Sequence, residues 1–267
     1  STSGTGVLIK NTDDWTNNYA SGGQAGNATF VAREAGTDGN NLQVSTCPNA
    51  AAYEEEGATT VNDASTAVGD TVVVTTSGAA LNVGDIISFS TTAATNDYDD
   101  GEQYRVTNIA TNDVTIVQHP RGTGGLKRVL TDGSNIRRRW KYYDAVDGAP
   151  GTSTYVSERN GANDEIHVVV IDEDGGISGV PGTILETFSK LSKASDAKDP
   201  QGNDNYYPNV IYTKSEYIYW TKHHASGSNW GNAASGTTFT AVNTPTLETM
   251  SGGSNGSTVT TGQIKTA

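Results

Sequence analysis

The sequence has a single cysteine, a single methionine and no long apolar run. One cysteine forms neither an internal disulfide nor a cysteine-based zinc cluster, so we expect Cys47 to be a small buried residue. No stretch approaches the roughly 20 apolar residues that a membrane-spanning helix needs, and no segment suggests a signal peptide. The chain opens without a methionine and no element closes its end, so we expect a piece of a longer protein.

Large aliphatic residues are scarce, and hydrophobic residues make up 34% of the chain. Glycine, threonine, serine, asparagine and aspartate are abundant instead, which favours short strands joined by many turns. Valine-rich runs and the aromatic residues (4 Trp, 12 Tyr and 4 Phe) are enough for modest cores. The formal net charge of −13 repels phosphates and anionic membranes, so we expect no direct nucleic-acid partner and no membrane insertion.

Residues 1–53 predict one short helix and two strands, at 29–33 and 42–47. Thr12 is the candidate N-cap of the helix, because its hydroxyl can accept a backbone N–H of the first turn. Gly22 and Gly23 are expected to end it. We assign 1–53 to the first part of one domain.

The acidic run Glu54-Glu55-Glu56 marks a change in the character of the sequence. Between it and residue 145, apolar residues alternate with polar ones in short segments, a period that indicates strands with one buried face. Turn residues separate the segments. We predict that 54–145 is an inserted small antiparallel β-barrel or sandwich, with strands at 71–76, 85–90, 103–109, 114–118 and 126–131.

Residues 146–267 are expected to be the second part of the interrupted domain. The apolar run at 165–171 predicts a central strand. The segment 183–191 has the spacing of a helix, but it follows a turn directly after a strand, and we interpret it as the returning strand of a hairpin. A short helix at 205–213 and a strand at 216–220 follow. Residues 224–262 are rich in Gly, Ser, Thr and Asn, and predict a loop with one short strand near 237–242.

The sequence contains few patterns that are typical of catalytic sites. Asp172 to Gly175 resembles the start of a calcium loop, but the later ligands are missing, so a hairpin turn is favoured. Ser254 sits in a pattern like a nucleophile elbow without a preceding strand, and supports a hydrolase only weakly. None of the four histidines has the spacing of a metal site, and surface or satisfied core positions are favoured for them. We expect no enzyme, no cofactor and no metal.

One basic cluster stands out, formed by Arg137, Arg138, Arg139, Trp140 and Lys141. It resembles a nucleic-acid patch superficially. In a chain of net charge −13, a salt-bridged strand or an acidic neighbouring subunit is the favoured partner. The first four residues are therefore the candidate interaction residues.

A second hypothesis treats the inserted domain as a surface-binding module that recognises glycans or a receptor. Aromatic side chains provide large contact areas for such ligands. The contact surface would be formed by Tyr98, Tyr104, Trp140, Tyr142 and Tyr143.

Residues 151–222 resemble the tail sheath proteins of contractile-tailed phages, above all the T4-type group that includes cyanophages. The resemblance is carried by DEIHVVVIDEDG at 164–175, PGTILETFSKLS at 181–192, the segment 206–210 and SEYIYW at 215–220. FVAREAGTDGNNLQV at 30–44 is similar to a strand-turn-strand of that family, and 247–253 to an element that precedes its next helix. Together these segments cover roughly half of the chain.

The resemblance implies an α+β fold: a sheath middle domain, made of a β-sheet with short helices, interrupted by the inserted β domain. It implies a structural subunit, made in the host cytoplasm and assembled into the virion tail. Its partners would be other sheath subunits, arranged in six-fold rings of a helical sleeve. Contacts with the tail tube and the baseplate would use regions outside this chain. A related injection machine, such as a pyocin or a type VI secretion sheath, fits the same residues.

Overall fold

The computed structural model describes residue 9, residues 11–21 and residues 28–255. Short strands dominate this part of the chain, as the turn-rich composition predicts. The strands are β1 Phe30–Ala32, β2 Leu42–Cys47, β3 Glu54–Thr60, β4 Val72–Val74, β5 Ile86–Ala93, β6 Gln103–Ala110, β7 Asp113–His119, β8 Ser134–Arg139, β9 Glu165–Asp172, β10 Thr183–Ser192, β11 Ile218–Trp220 and β12 Thr246–Thr249. The helices are α1 Thr12–Asn18, α2 Ala50–Tyr53, α3 Thr154–Ser157 and α4 Tyr207–Lys214. Within the described ranges, no helix has the length and apolar character needed to cross a membrane.

The chain divides into two compact units. Unit 1 comprises Ser1–Thr46, Pro150–Val242 and Thr246–Ala267, and unit 2 comprises Cys47–Ala149 and Asn243–Pro245. The predicted inserted domain, 54–145, lies inside unit 2. The observed bounds of that unit are wider at both ends, and they include a short segment from far downstream.

Unit 1 contains a four-stranded sheet in the order β10-β9-β2-β12. Every residue of β9 after Glu165 is buried, as expected for a continuous apolar run in an inner strand. β10 returns antiparallel beside β9, with Thr183 opposite Asp172. The segment 183–191 is therefore a strand, in agreement with the prediction from its position after a turn.

The core of unit 1 also packs α1, α4 and the two-stranded pair β1–β11. Trp15 of α1 stacks on Tyr212 with 4.3 Å between ring centroids, and its Nε1 donates to the carbonyl of Trp220 at 2.8 Å. The N-cap of α1 is Asn11 rather than the predicted Thr12, because the Asn11 side chain accepts the Asp14 N–H at 2.8 Å. The predicted helix end at 22–23 lies outside the described residues.

Unit 2 contains a six-stranded antiparallel sheet in the order β3-β8-β5-β6-β7-β4. One face of the sheet surrounds a core that includes Phe89, Tyr104 and Ile116. The edge strands β3 and β4 approach each other beyond their ends, where Val61 and Thr75 form an isolated bridge. The strand pairing nevertheless describes an open sheet, and no closed barrel is present in the described part of unit 2.

Several predicted elements differ from the structure. Residues 126–131 are not a strand: the N–H of Leu126 donates to Asp70 O and its carbonyl accepts from Gly69 N, while Leu126 and Leu130 fill the core. Residues 237–242 are also not a strand. Strands β3 and β12 were not predicted, and β8 was predicted only as a possible salt-bridged strand at the basic cluster. The chain is thus mostly β with few helices, which agrees with the predicted α+β class only in this coarse sense.

Gly125 allows the crossing of 126–131 over residues 69–70, because a Cβ at this position would overlap the backbone oxygens of Gly69 and Asp70. We expect Gly125→Ala to destabilise unit 2 by about 1–3 kcal/mol through overpacking. Gly151→Ala is the control, since the nearest atom to its new Cβ is Glu165 Oε2 at 3.8 Å. Urea unfolding followed by circular dichroism measures both. Equal stabilities of the two variants would contradict the close approach at Gly125.

Candidate functional site

The three consecutive arginines lie on β8, between β3 and β5 of unit 2. Successive residues of a strand face opposite sides of its sheet, so Arg138 faces one way, and Arg137 and Arg139 the other. β3 carries the acidic run to this strand, with Glu55 opposite Arg138. The two clusters of opposite charge in the sequence are thus neighbouring strands.

The guanidinium of Arg138 is fully buried. It donates to the carbonyls of Ala51 at 2.8 Å, Ala52 at 3.2 Å and Asn243 at 3.4 Å, and to Oε2 of Glu55 at 3.0 Å. Hydrogen bonds of this kind replace the water that a buried cation loses. Arg138 therefore ties helix α2, strand β3 and the downstream segment of unit 2 to β8.

Asp85 is a second carboxylate that interacts with Arg138, and it is buried as well. Its Oδ2 accepts the backbone N–H of Asn82 at 2.7 Å. Burial raises the pKa of Asp85 to about 6, although the charge of Arg138 acts in the opposite direction. At neutral pH the carboxylate is therefore ionised and helps to balance the buried cation.

Arg137 and Arg139 are neutralised on the other face of β8. Arg137 forms an ion pair with Asp100, and Arg139 forms one with Glu54. The hydrogen bond from Arg137 holds the pKa of Asp100 below its usual range. The ring of Tyr98 lies 4.7 Å from the guanidinium carbon of Arg137, a distance at which a cation and an aromatic face attract.

The interpretation of the basic cluster as a salt-bridged strand is confirmed. The side chains of Arg137, Arg138 and Arg139 are only 8%, 0% and 18% exposed, and Trp140 is buried. The prediction that these four residues contact a partner therefore has little exposed surface to support it, since Arg139 alone is partly exposed.

The aromatic residues proposed as a glycan-binding surface do not form one face. Tyr104, Trp140 and Tyr142 are buried. Only Tyr98 and Tyr143 are partly exposed, and both rings lie beside arginines of β8. The structure therefore gives this hypothesis no specific support.

A chain of hydrogen-bonded polar groups in unit 1, two of them buried and two half-buried, was not predicted from the sequence. Trp220 Nε1 donates to the Tyr207 hydroxyl at 3.0 Å. The hydroxyl lies 2.6 Å from His223 Nδ1, and the Tyr206 hydroxyl lies 3.2 Å from His223 Nε2. The Tyr207 hydroxyl accepts from Trp220 and can still donate to Nδ1 or accept from it, because a hydroxyl has one proton and two acceptor sites. In either neutral tautomer of His223, one ring nitrogen donates to a tyrosine hydroxyl and the other accepts from one.

The surroundings of this chain favour its neutral form. Burial lowers the pKa of His223 to about 4. Burial also raises the pKa of Tyr206 to about 12 and that of Tyr207 well above its usual range. Both nitrogens of His223 are engaged and none of its hydrogen-bond partners is a carboxylate, so the geometry is that of a satisfied core histidine rather than of a catalytic base.

His167 is a second histidine with a structural role, and it is fully buried. A register shift in β10 gives Lys190 a φ of +52°. The backbone N–H of Lys190 donates to His167 Nδ1 at 2.9 Å. His167 thus satisfies a backbone donor that the irregular strand leaves outside the ladder.

The two remaining sequence candidates for chemistry, Asp172 and Ser254, both belong to unit 1. Asp172 Oδ2 accepts the N–H of Ile177 at 3.1 Å and closes the hairpin turn, as expected. Ser254 is exposed, and the last glycine of its pattern, Gly256, lies outside the described residues. No histidine bonds to Ser254 in the described part of the chain. Those same ranges contain no cluster of three or more His, Cys, Asp or Glu residues suited to a metal ion.

Unit 1 also contains an open cavity of about 410 Å³. Its apolar lining includes Leu42, Ile177 and Tyr217, and its carboxylates are Glu34, Asp38 and Glu216. The three carboxylate residues are exposed. None of them forms a salt bridge with a described residue.

Comparison with protein-family models, curated proteins and solved structures finds no match. The function is therefore inferred from the residues of this chain and their arrangement.

Removal of the Arg138 side chain tests its role in unit 2. We expect Arg138→Met to destabilise this unit by about 3–5 kcal/mol, because it leaves the Glu55 carboxylate and three carbonyls without their donor and removes the positive charge near the buried carboxylate of Asp85. Arg121→Met, at an exposed arginine, should change stability by less than about 0.5 kcal/mol. Hydrogen exchange with mass spectrometry reads residues 47–149 separately from unit 1. Unchanged exchange in Arg138→Met would contradict the proposed role.

The pKa of His223 predicts how stability depends on pH. The unfolded chain binds a proton near pH 6.5 and the folded chain only near pH 4. Stabilisation is therefore complete above pH 6.5 and is lost as the pH falls through about 4. Because His223 is partly exposed, we expect a loss on the order of 1–2 kcal/mol. Urea unfolding of unit 1 between pH 4 and 7 measures it.

His223→Gln should flatten this pH dependence, whereas His224→Gln should retain most of it. A pKa of His223 near 6.5, measured by NMR, would show that the chain of hydrogen bonds does not hold the neutral form.

Proposed function

We propose that this chain is a structural part of a contractile tail sheath subunit. Copies of the subunit would surround the tail tube as six-fold rings of a helical sleeve in the virion, after synthesis in the host cytoplasm. Contraction of the sleeve would drive the tube through the host envelope. The chain would act by mechanical contact with other subunits, without a cofactor or a catalytic residue.

The main support for this proposal is that the segments resembling sheath proteins lie together in unit 1. Residues 30–44 are separated from 164–192 by more than a hundred positions, and most of those belong to unit 2. Phe30, Val168 and Ile218 nevertheless belong to one hydrophobic core. This arrangement supports a sheath middle domain that is interrupted by an inserted β domain.

The proposed mechanism uses each unit as a rigid body. Packed cores switch between discrete arrangements instead of stretching, and each unit has its own core. New contacts between subunits would supply the work of contraction. The buried positions of His167 and Arg138, and the hydrogen bonds of His223 to two tyrosine hydroxyls, agree with a role in holding each unit rigid.

Electron microscopy of the full-length protein, expressed alone, tests this proposal. We expect long, regular, hollow tubes in negative stain, since sheath subunits would assemble around their own six-fold axis. Dispersed particles at all salt and protein concentrations would contradict it.

A further inference from the structure

The cavity of unit 1 combines an apolar lining with unpaired negative charge. Leu42 is buried, and Ile177 and Tyr217 add partly exposed apolar surface. In the described part of the chain, the carboxylates of Glu34 and Glu216 accept no hydrogen bond and form no salt bridge. A ligand with a cationic head and an apolar stem is complementary to such a site.

Unit 1 also has exposed lysines that form no salt bridge with a described carboxylate. Lys190, Lys198 and Lys214 are exposed. None of them lies within 4.0 Å of a carboxylate oxygen among the described residues, the distance that defines a salt bridge. A lysine side chain has the ammonium and the four-carbon stem that the cavity accommodates.

We propose that the cavity binds a lysine side chain from a second copy of this chain. The ammonium lies among Glu34, Asp38 and Glu216, and the stem lies against Leu42 and Ile177. This inference rests on the proposed function, in which copies of the chain are neighbours. It adds one of the surfaces through which the copies meet.

The removal of one negative charge has opposite effects on self-association, depending on whether the charge belongs to this contact or only to the overall repulsion between copies. Two copies of net charge −13 repel each other. Removal of a negative charge at an arbitrary exposed site therefore leaves association unchanged or strengthens it. Removal of a cavity carboxylate has the opposite effect, because it weakens an attraction between the copies.

Sedimentation equilibrium of the full chain at low salt measures this difference. We expect Glu216→Gln to lower the association constant about fivefold, the change that one partly shielded ion pair gives. Asp132→Asn, at an exposed aspartate of unit 2, is the matched control and should not lower it. Equal effects of the two substitutions, or no association of the chain, would overturn the proposal.

Carbodiimide cross-linking of mixed ¹⁴N- and ¹⁵N-labelled chains identifies the occupant. We expect mixed-isotope links between a cavity carboxylate and Lys190, Lys198 or Lys214. Links within one copy alone, including links to Lys265, would assign the cavity to the chain's own lysine and overturn the proposal. Tubes of the full-length protein without such mixed links would reject this contact while the proposed function stands.

Discussion

A buried cation needs hydrogen-bond partners in place of the water that it loses, and in unit 2 this requirement falls on the two terminal nitrogens of Arg138. Its Nε is buried without a partner among the described residues. Its guanidinium reaches two carbonyls of α2, a carboxylate of β3 and a carbonyl of the downstream segment. The loss of water around such a group costs several kcal/mol unless the replacements are well placed. These elements therefore have to meet at β8. Lys193 meets the same requirement in unit 1, where its buried ammonium donates to the carbonyl of Asn163 at 2.7 Å.

Strands were predictable where local apolar pattern determines them and less so where charge does. The continuous apolar run of β9 predicted an inner strand, and the alternation within β6 and β7 predicted half-buried strands. β3 and β8 lack an apolar pattern where they pair, since Glu55 lies opposite Arg138. β3 was missed, and β8 was interpreted as a strand from its charge alone. Two runs of equal length and opposite charge are a usable signal for cross-strand pairing. The acidic run at 54–56 and the basic run at 137–139 form such a signal. They indicate the pairing of β3 with β8, which apolar periodicity does not indicate.

Contacts between residues far apart in the sequence could not be predicted from local sequence patterns. His223 meets Tyr206 and Tyr207, which lie 17 and 16 positions away, through a chain of hydrogen bonds that has no sequence motif. Leu126 and Leu130 are four positions apart, yet both enter the core of unit 2 from an irregular segment. The segment 126–131 looked like a strand by composition. Its backbone instead bonds to 69–70 at Leu126 and to the Thr66 hydroxyl at Leu130. The carboxylates of the cavity likewise come from 34, 38 and 216.

The acidity of the chain constrains how copies can assemble. Charges separated by more than about 8 Å are largely screened at physiological salt, so the net charge of a subunit matters less than the charges at each contact. The proposed sleeve of acidic copies would need contacts in which a cation of one copy meets a carboxylate of another. The arginines of β8 are each paired with a carboxylate of unit 2, whereas Lys190, Lys198 and Lys214 are exposed and could fill that role. Contraction would then exchange one set of such surface pairs for another, and the buried cations would keep each unit rigid while the surface pairs change.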